Sequence, residues 1–392
     1  GRFSFAGLQP GAWTVRVEFE SRVPGETQVE VREDLVTTVV IYPERYEEAL
    51  IEGGMEIVVE ARRTEVGVTE RVLTEEEIRY LPGTSGDVVR VVQNLPGVAR
   101  PPLNIGQLII RGVAPEDSAY FIDGGRIPLV FHFAGLTTVV PSDTVSEVAF
   151  LPGSFGVRYG RTLGGLVDLR TSPELPEQKR FSYASMDLYQ GTFFSEWKVG
   201  ERGAISISGR RSYADAILNP ILNKSGNQVR SPRYFDAQIR ARLEDARGGR
   251  WDAFLVASDD RFLVLGPESE DSSVEIGYVT SFQKARLQRV AKLNDGWYSE
   301  SVIVAGPELR TFQFEGDGEA YEKPLMTAVR QEFRRGLEAG AVGWRFGLDG
   351  EVGVDRYLYD VPTFGEAEEG NSWVATPAIY LESTLPIGVL EL

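Results

Sequence analysis

The fold is decided by NLPGVARPPLNIGQLIIRGVAPEDSAYFIDGGRIP at residues 94–128, FHFAG at residues 131–135 and VSEVAFLPGSFGVRYGRTLGGLVDL at residues 145–169. In these segments short apolar runs alternate with turns that contain Pro-Gly, Arg-Gly, Asp-Gly or Tyr-Gly. Because glycine supplies the backbone conformations that tight turns require, each run reads as a short strand. The predicted strands lie at residues 107–111, 118–122, 145–150 and 164–169.

Two short helices are predicted upstream of these strands. In LTEEEIR, residues 73–79, Thr74 can cap a helix and Glu77 follows three residues later, which is the spacing of a capping box. GDVVRVVQ, residues 86–93, predicts a second helical turn. Helices and strands mixed at this scale predict a small α+β domain.

Composition narrows the class of protein. The 392 residues contain no run of about 18 apolar residues, so the chain is expected to be a soluble protein or a membrane β-barrel. A net charge of −17 argues against a nucleic-acid partner, which needs a basic face. Without cysteine and with one histidine, His132, the chain cannot build a thiolate or multi-histidine metal site. No cofactor, metal or catalytic residue is predicted, and no nucleophile elbow is present, so an enzyme is not expected.

Long strands with two different faces are predicted from residue 181 onward. Between residues 342 and 354 the even positions are apolar or glycine, and the odd positions are charged or glycine. Residues 235–243 alternate in the same way. Such strands suit a barrel wall with lipid outside and water inside. An antiparallel sandwich with one wet face would give the same pattern.

The motifs of residues 55–172, and the order in which they occur, resemble those of the plug domain of TonB-dependent outer-membrane transporters. FSFAGLQPGAWTVRV, residues 3–17, resembles the second half of the carboxypeptidase-regulatory-like sandwich that precedes some of these receptors. Since half a sandwich would expose its core, the natural N-terminus is expected upstream. The resemblance implies a mainly β chain with four parts: residues 1–42 from the sandwich, 43–64 a linker, 65–175 the α+β plug and 176–392 the N-terminal portion of an antiparallel transmembrane β-barrel.

The expected barrel is incomplete. About ten strands follow residue 181, whereas a plugged transporter needs about 22. An open sheet edge in lipid costs several kcal/mol for each unpaired backbone group. The chain is therefore expected to be the N-terminal half of a transporter, a split barrel completed by a second chain, or the product of a decayed gene.

The segment MEIVVEARR, residues 55–63, is the candidate TonB box. It is short, extended, apolar in the middle and directly upstream of the plug, as a strand that adds to a partner's sheet should be. The alternative is that this segment is only the first strand of the plug. The candidate residues are Glu56, Ile57, Val58, Val59, Glu60 and Ala61.

Two plug arginines, Arg111 and Arg158, match positions where the family pairs arginine with carboxylates of the barrel wall, and Arg161 competes with Arg158 for the second position. Arg111 lies in IIRG, and Arg158 and Arg161 lie in RYGR. The resemblance implies a lock, in which a guanidinium makes bidentate, charge-assisted bonds to a wall carboxylate. The alternative is an ordinary solvated arginine. The sequence does not identify the wall carboxylates.

Ligand contacts are expected from two plug loops, residues 99–106 and 126–136. Aromatic rings around one histidine could stack on a ligand or supply a nitrogen to a metal that it carries. In the alternative reading, the phenylalanines pack against the protein and the histidine is only hydrogen-bonded. The candidate residues are Arg100, Leu103, Asn104, Phe131, His132 and Phe133.

The resemblance implies active import of a scarce ligand across the outer membrane of a Gram-negative bacterium. The partners would be a TonB-like periplasmic energy transducer, outer-membrane lipid and a small or oligomeric ligand, such as a siderophore, cobalamin, a metal chelate or a saccharide. Two other classes stay open. One is a non-transporting outer-membrane protein with a structural, adhesive or signalling role, and the other is a soluble β-rich binding protein.

Overall fold

The structure is a computed structural model, and the chain divides into two compact units, Gly1–Thr64 and Glu65–Leu392. The candidate TonB box, residues 56–61, lies outside the described residues. The structure describes residues 11–19, 22–31, 70–81, 84, 87–99, 107–132, 137–172, 174–188, 190–213, 215–217, 230–265, 275–314, 318–336, 342–361, 365–387 and 390–391.

The first unit contains an antiparallel hairpin of β1 (Gly11–Phe19) and β2 (Arg22–Val31). Trp13 pairs with Val29, and Val29 is buried. The strand that the alternation of Trp13 with polar neighbours predicts is thus present. Its assignment to a carboxypeptidase-regulatory-like sandwich stays a prediction.

The second unit begins with a small α+β domain, residues 70–172, which we call the plug. Its main sheet has the order β3-β8-β9-β6-β7, in which β6 and β9 are parallel and the other pairs are antiparallel. Single turns of 3-10 helix cover Pro115–Asp117 and Ser142–Thr144. The elements are β3 (Arg71–Thr74), α1 (Glu75–Tyr80), α2 (Val88–Gln93), β4 (Val98–Ala99), β5 (Ile109–Ile110), β6 (Ala119–Ile122), β7 (Gly125–Ile127), β8 (Val145–Leu151) and β9 (Leu166–Thr171).

The plug has an apolar core, formed where the sheet meets α1 and α2, and Phe254, Val256 and Phe282 of the large sheet that follows in the chain join it. Val88, Val91, Val148 and Leu169 are among its fully buried side chains. Gly165 lies at a close approach, since a Cβ there would come 2.4 Å from Ile110 Cγ2. The core explains why the apolar runs of the sequence become strands although each is only two to seven residues long.

The remaining strands form one antiparallel sheet, which we call the wall. Its order follows the chain from β10 to β19, and among the described strands the two ends of this sheet do not pair with each other. The short strands β21 (Pro386–Ile387) and β22 (Leu390–Glu391) form a separate pair. The wall strands are β10 (Arg180–Met186), β11 (Gln190–Val199), β12 (Gly203–Ser212), β13 (Arg230–Glu244), β14 (Arg250–Leu265), β15 (Glu275–Lys292), β16 (Tyr298–Phe314), β17 (Gly318–Arg335), β18 (Gly343–Asp360), β19 (Glu368–Ala375) and β20 (Ala378–Thr384).

The strands β19 and β20 lie end to end along the same edge of β18. β19 pairs with residues 352–359 of β18, and β20 pairs with residues 343–349. Thr376 and Pro377 separate them; proline cannot donate a ladder hydrogen bond. The eleven strands therefore form ten rows, which agrees with the number predicted for an incomplete barrel.

The wall exposes its apolar face and buries its charged face. On β18, Trp344, Phe346 and Leu348 are 40–58% exposed, whereas Arg345 and Asp349 are buried. On β13 the same contrast separates exposed Ile239 and Leu243 from buried Asp236 and Arg242. A soluble sandwich would bury the apolar face, so this arrangement is that of a barrel wall with lipid outside.

No helix among the described residues combines the length and the apolar character needed to cross a membrane.

Candidate functional site

The candidate site is the interface at which plug side chains meet the inner face of the wall. Three groups of charged contacts lie there. We call them the arginine contact, around Arg158 and Arg161, the aspartate contact, around Asp123, and the histidine contact, around His132.

Arg158 follows β8 and faces two wall carboxylates. Its Nη2 lies 3.6 Å from Glu300 Oε1 on β16, and its Nε lies 3.8 Å from Glu332 Oε2 on β17. Burial lowers the pKa of the Arg158 guanidinium, but the negative groups around it outweigh burial and raise that pKa well above the ordinary value. Arg158 therefore stays charged.

These distances describe ion pairs rather than the bidentate hydrogen bonds that a lock predicts. Glu332 explains the difference, because other groups share its carboxylate. The Tyr380 hydroxyl on β20 donates to Glu332 Oε2 over 3.0 Å, and Arg345 Nε on β18 lies 3.7 Å from the same oxygen. Glu300 in turn accepts a hydrogen bond from Gln288.

Arg161 lies closer to its wall carboxylate than Arg158 does. It has a positive φ of 56°, and its Nη2 donates to Asp349 Oδ1 on β18 over 2.9 Å. Its Nε lies 3.4 Å from Glu351 Oε2. Its Nη1 also donates to the carbonyl oxygen of Thr376, at the break between β19 and β20. This guanidinium thus joins the plug to the edge of the wall.

Arg111 has no carboxylate within ion-pair distance among the described residues. It is exposed, its φ is 54°, and its backbone N–H donates to the carbonyl oxygen of Gly97 over 2.7 Å. Its role in a lock stays a prediction.

The predicted ligand residues fall into two groups. Arg100, Leu103, Asn104 and Phe133 lie outside the described residues. Phe131 and His132 are both 0% exposed, packed between plug and wall. The structure offers neither side chain to a ligand on the surface, so their ligand role stays a prediction that needs the plug to move.

The histidine contact places the ring of His132 between two wall strands. Its Nε2 lies 3.0 Å from Asp236 Oδ2 on β13, and its Nδ1 lies 3.0 Å from Asp260 Oδ2 on β14. The ring stacks on Tyr234, with centroids 4.2 Å apart. This geometry matches the alternative reading in which the histidine is hydrogen-bonded within the protein.

The aspartate contact was not predicted. Asp123 lies at a positive φ in the turn between β6 and β7 and accepts two hydrogen bonds from Thr171, at the end of β9. Two wall arginines converge on it: Arg286 Nη2 lies 3.3 Å and Arg240 Nη2 3.8 Å from Asp123 Oδ2. From the sequence, Asp-Gly-Gly predicts only a turn. Aspartate is common in turns, so its presence there gives no sign of a second role.

The chain that leaves the plug is also held by the wall. Arg242 on β13 donates to the carbonyl oxygens of Ser172 and Glu174, and Arg240 donates to that of Ser172. These residues lie directly after β9. The wall therefore contacts the plug at the turns that carry Asp123, Arg158 and Arg161, at the loop that carries His132, and at the chain segment that follows β9.

The family model of the TonB-dependent receptor plug domain matches residues 62–166. No curated protein matches the chain. The matched receptors are transporters rather than enzymes, in agreement with the sequence.

Solved structures share the fold at low identity. A mutant of the ferric enterobactin receptor PfeA from Pseudomonas aeruginosa, in complex with enterobactin, has a TM-score of 0.56 and 12% identity, over 82% of this chain and 56% of that one. The siderophore receptor PirA from Acinetobacter baumannii has a TM-score of 0.58 and 15% identity, and the match covers 82% of this chain and 55% of that one. The ferric-catecholate import receptor Fiu from E. coli K12 has a TM-score of 0.50 and 10% identity, and the match covers 82% of this chain and 67% of that one.

The chain thus spans little more than half the length of PfeA and PirA. The plug match, the apolar outer face of the wall and the shared fold lead to one assignment. Residues 62–166 form a plug domain of the TonB-dependent receptor type, and the wall that follows shares the fold of the barrels in the similar structures.

Proposed function

We propose that this chain is the gate and part of the channel wall of a TonB-dependent importer. The observation that carries the proposal is the arginine contact, in which Arg158 and Arg161 of the plug face carboxylates from three wall strands. A plug held by charged pairs against the wall can be fixed at rest and released when those pairs are separated.

The mechanism requires a pull on the plug from the periplasmic side. In the proposal, a TonB-like partner pairs with residues 56–61 by strand addition, in which main-chain hydrogen bonds supply the grip. The pull would separate Arg158 from Glu300 and Glu332 and open a path along the wall. Ligand binding would act through its different affinity for the closed and open states.

A siderophore is the proposed ligand class. Support comes from the names of the similar structures, which are a ferric enterobactin receptor, a siderophore receptor and a ferric-catecholate import receptor. Their low identity to this chain carries the fold only, so the choice among siderophores has to come from measurement.

The test is uptake of ⁵⁵Fe-labelled ferric enterobactin by cells that lack their own catecholate receptors and express the complete protein. We expect uptake that disappears in cells without TonB and in a variant lacking residues 56–61. Binding without uptake in cells that contain TonB would instead support a non-transporting receptor. Absence of binding would remove enterobactin and direct the screen to cobalamin and saccharides.

A further inference from the structure

Both ring nitrogens of His132 face carboxylates. Nε2 lies 3.0 Å from Asp236 Oδ2, and Nδ1 lies 3.0 and 3.1 Å from the two oxygens of Asp260. The three side chains are at most 2% exposed. An ionised carboxylate only accepts hydrogen bonds, so both nitrogens must carry a proton to satisfy this geometry. The ring is then an imidazolium.

The charge distribution favours the same state. Arg210 on β12 donates from Nε to Asp236 Oδ2 over 2.7 Å and is itself buried, so it balances the charge of Asp236. The imidazolium supplies positive charge against Asp260. Positive charge beside a buried carboxylate lowers the cost of burying it, which favours the charged ring.

A neutral ring with its proton on Nδ1 is the competing state. Its bare Nε2 could accept from Arg210 Nη2, which lies 3.4 Å away. The same lone pair would then face Asp236 Oδ2 at the shorter distance of 3.0 Å. Arg210 also has other acceptors, since it donates to Thr137 Oγ1 and to the carbonyl oxygen of Thr138. The short distance from Nε2 to Asp236 therefore favours the imidazolium over the neutral ring.

The groups around the ring come from both sides of the interface. The wall contributes Arg210 from β12, Tyr234 and Asp236 from β13 and Asp260 from β14. The plug contributes Thr137 and Thr138, whose hydroxyls donate to Asp87. Burial lowers the pKa of His132, but Asp260 and Asp236 outweigh burial, and its pKa is raised.

The histidine contact and the arginine contact lie at opposite ends of the wall strands. Asp236 and Asp260 are close to the ends of β13 and β14 that lead into long connections, residues 213–229 and 266–274. Glu300 is two residues from the start of β16, next to the short connection 293–297. Short connections are periplasmic in this class of barrel and long ones are extracellular. The two contacts can therefore be released separately.

We propose that His132 is a proton-dependent latch that fastens the plug segment of residues 128–132, directly after β7, to the extracellular half of the wall. While the ring is an imidazolium, it bridges β13 and β14 to this segment. Loss of one proton turns one of the two hydrogen bonds into a repulsive contact and releases the segment. The latch concerns the resting contact of plug and wall, so it does not depend on which ligand is imported.

The sign of the pH dependence follows from the raised pKa. A group whose pKa is higher in the folded protein stabilises that state fully below its unfolded value, about 6.5 for histidine. The stabilisation disappears as the pH rises through the folded value. The latch is therefore closed at acidic pH and opens as the pH rises through the folded pKa of His132.

The first test is NMR of the purified chain with ¹⁵N-labelled histidine, whose signal is assigned by its loss in His132→Gln. We expect a midpoint above 6.5, with an imidazolium spectrum below the midpoint, and a midpoint lower by about one unit or more in Asp260→Asn. Asp252→Asn is the matched control, because Asp252 is a buried carboxylate on the same strand, paired with Arg240 and Arg286. A midpoint at or below 6.5, or equal midpoints in the two variants, would overturn the proposal.

The second test measures opening. The chain contains no cysteine, so Leu129→Cys, buried in the latched segment, reports its exposure through maleimide labelling. The labelling rate is first corrected for the ionisation of the thiol. We expect the corrected rate to rise about tenfold for each pH unit above the midpoint of His132. His132→Gln should label fast at every pH. Val148→Cys in the plug sheet reports unfolding of the whole plug, and equal behaviour of the two cysteines would contradict a local latch.

Discussion

Glu332 shows at the scale of one residue how plug and wall are joined. Its buried carboxylate faces Arg158 of the plug and receives Tyr380 and Arg345 from other wall strands. Charges shared among several partners do not need ideal geometry in any one pair, which accounts for the 3.8 Å distance to Arg158.

Glu332→Gln should weaken the contact between plug and wall. It removes the charge opposite Arg158 and keeps the volume of the side chain. We expect a loss of at most roughly 3 kcal/mol, the low end for a broken buried pair, because Glu300 still faces Arg158. Urea unfolding followed by tryptophan fluorescence in detergent measures the loss. Glu201→Gln, on the exposed surface, is the control and should change stability by less than about 0.5 kcal/mol.

Gly165→Ala should destabilise the plug through overpacking. The new Cβ would meet the side chain of Ile110 at 2.4 Å, and such insertions cost roughly 1–3 kcal/mol. Gly160→Ala is the matched control, since a Cβ there meets nothing within 4 Å. Equal melting temperatures for the two variants would show that the backbone around Gly165, just before β9, shifts freely.

At the scale of elements, local signals in the sequence predict the plug well. Thr74 accepts from the backbone N–H of Glu77, and Glu77 reaches back to the backbone N–H of Thr74, so the predicted capping box is confirmed. The helix begins at Glu75 rather than at Leu73 because Leu73 and Thr74 belong to β3, which pairs with β8. Sheet pairing, which is not local, overrides the helical pattern there.

Thr74→Ala should unravel the start of α1. Loss of the Thr74 hydroxyl leaves the backbone N–H of Glu77 without this acceptor and costs about 1 kcal/mol. Hydrogen exchange of residues 75–80 gives the measurement. Glu76→Ala, an exposed first-turn acid outside the box, is the control. If the box acts as a pair, Thr74→Ala combined with Glu77→Ala will cost less than the sum of the single changes.

At the scale of the whole molecule, the wall is inverted relative to a water-soluble sheet. Its exposed face carries Trp344, Phe346 and Leu348, and its buried face carries the ion pairs with the plug. This arrangement makes sense only when the surroundings of the outer face are less polar than the interior.

Leu348→Arg should reveal the lipid around the wall. Leu348 lies within β18 and is 58% exposed on the outer face. In phospholipid vesicles the arginine should cost roughly 2–4 kcal/mol, the value for a charge near the midplane of a bilayer. Leu293→Arg, in the connection between β15 and β16, is the matched control and should cost about 1 kcal/mol or less. Similar costs for both variants would mean that no apolar medium covers this face.

The sequence by itself determined the kind of fold. The turn residues specify where short strands end, the capping box specifies a helix, and the period-two alternation of residues 342–354 specifies a two-faced strand. These features depend on neighbours along the chain. The family resemblance also implied that Arg158, or Arg161 in its place, faces carboxylates of the wall.

Only the tertiary structure decided what those residues meet. The direction of the two-faced strands, the partners Glu332 and Asp349, and the positions of Asp236 and Asp260 on either side of His132 depend on how the plug sits in the wall. His132 and Asp236 are 104 residues apart in sequence. No local pattern encodes such a pair, because the energy of a buried charge depends on the groups around it in space.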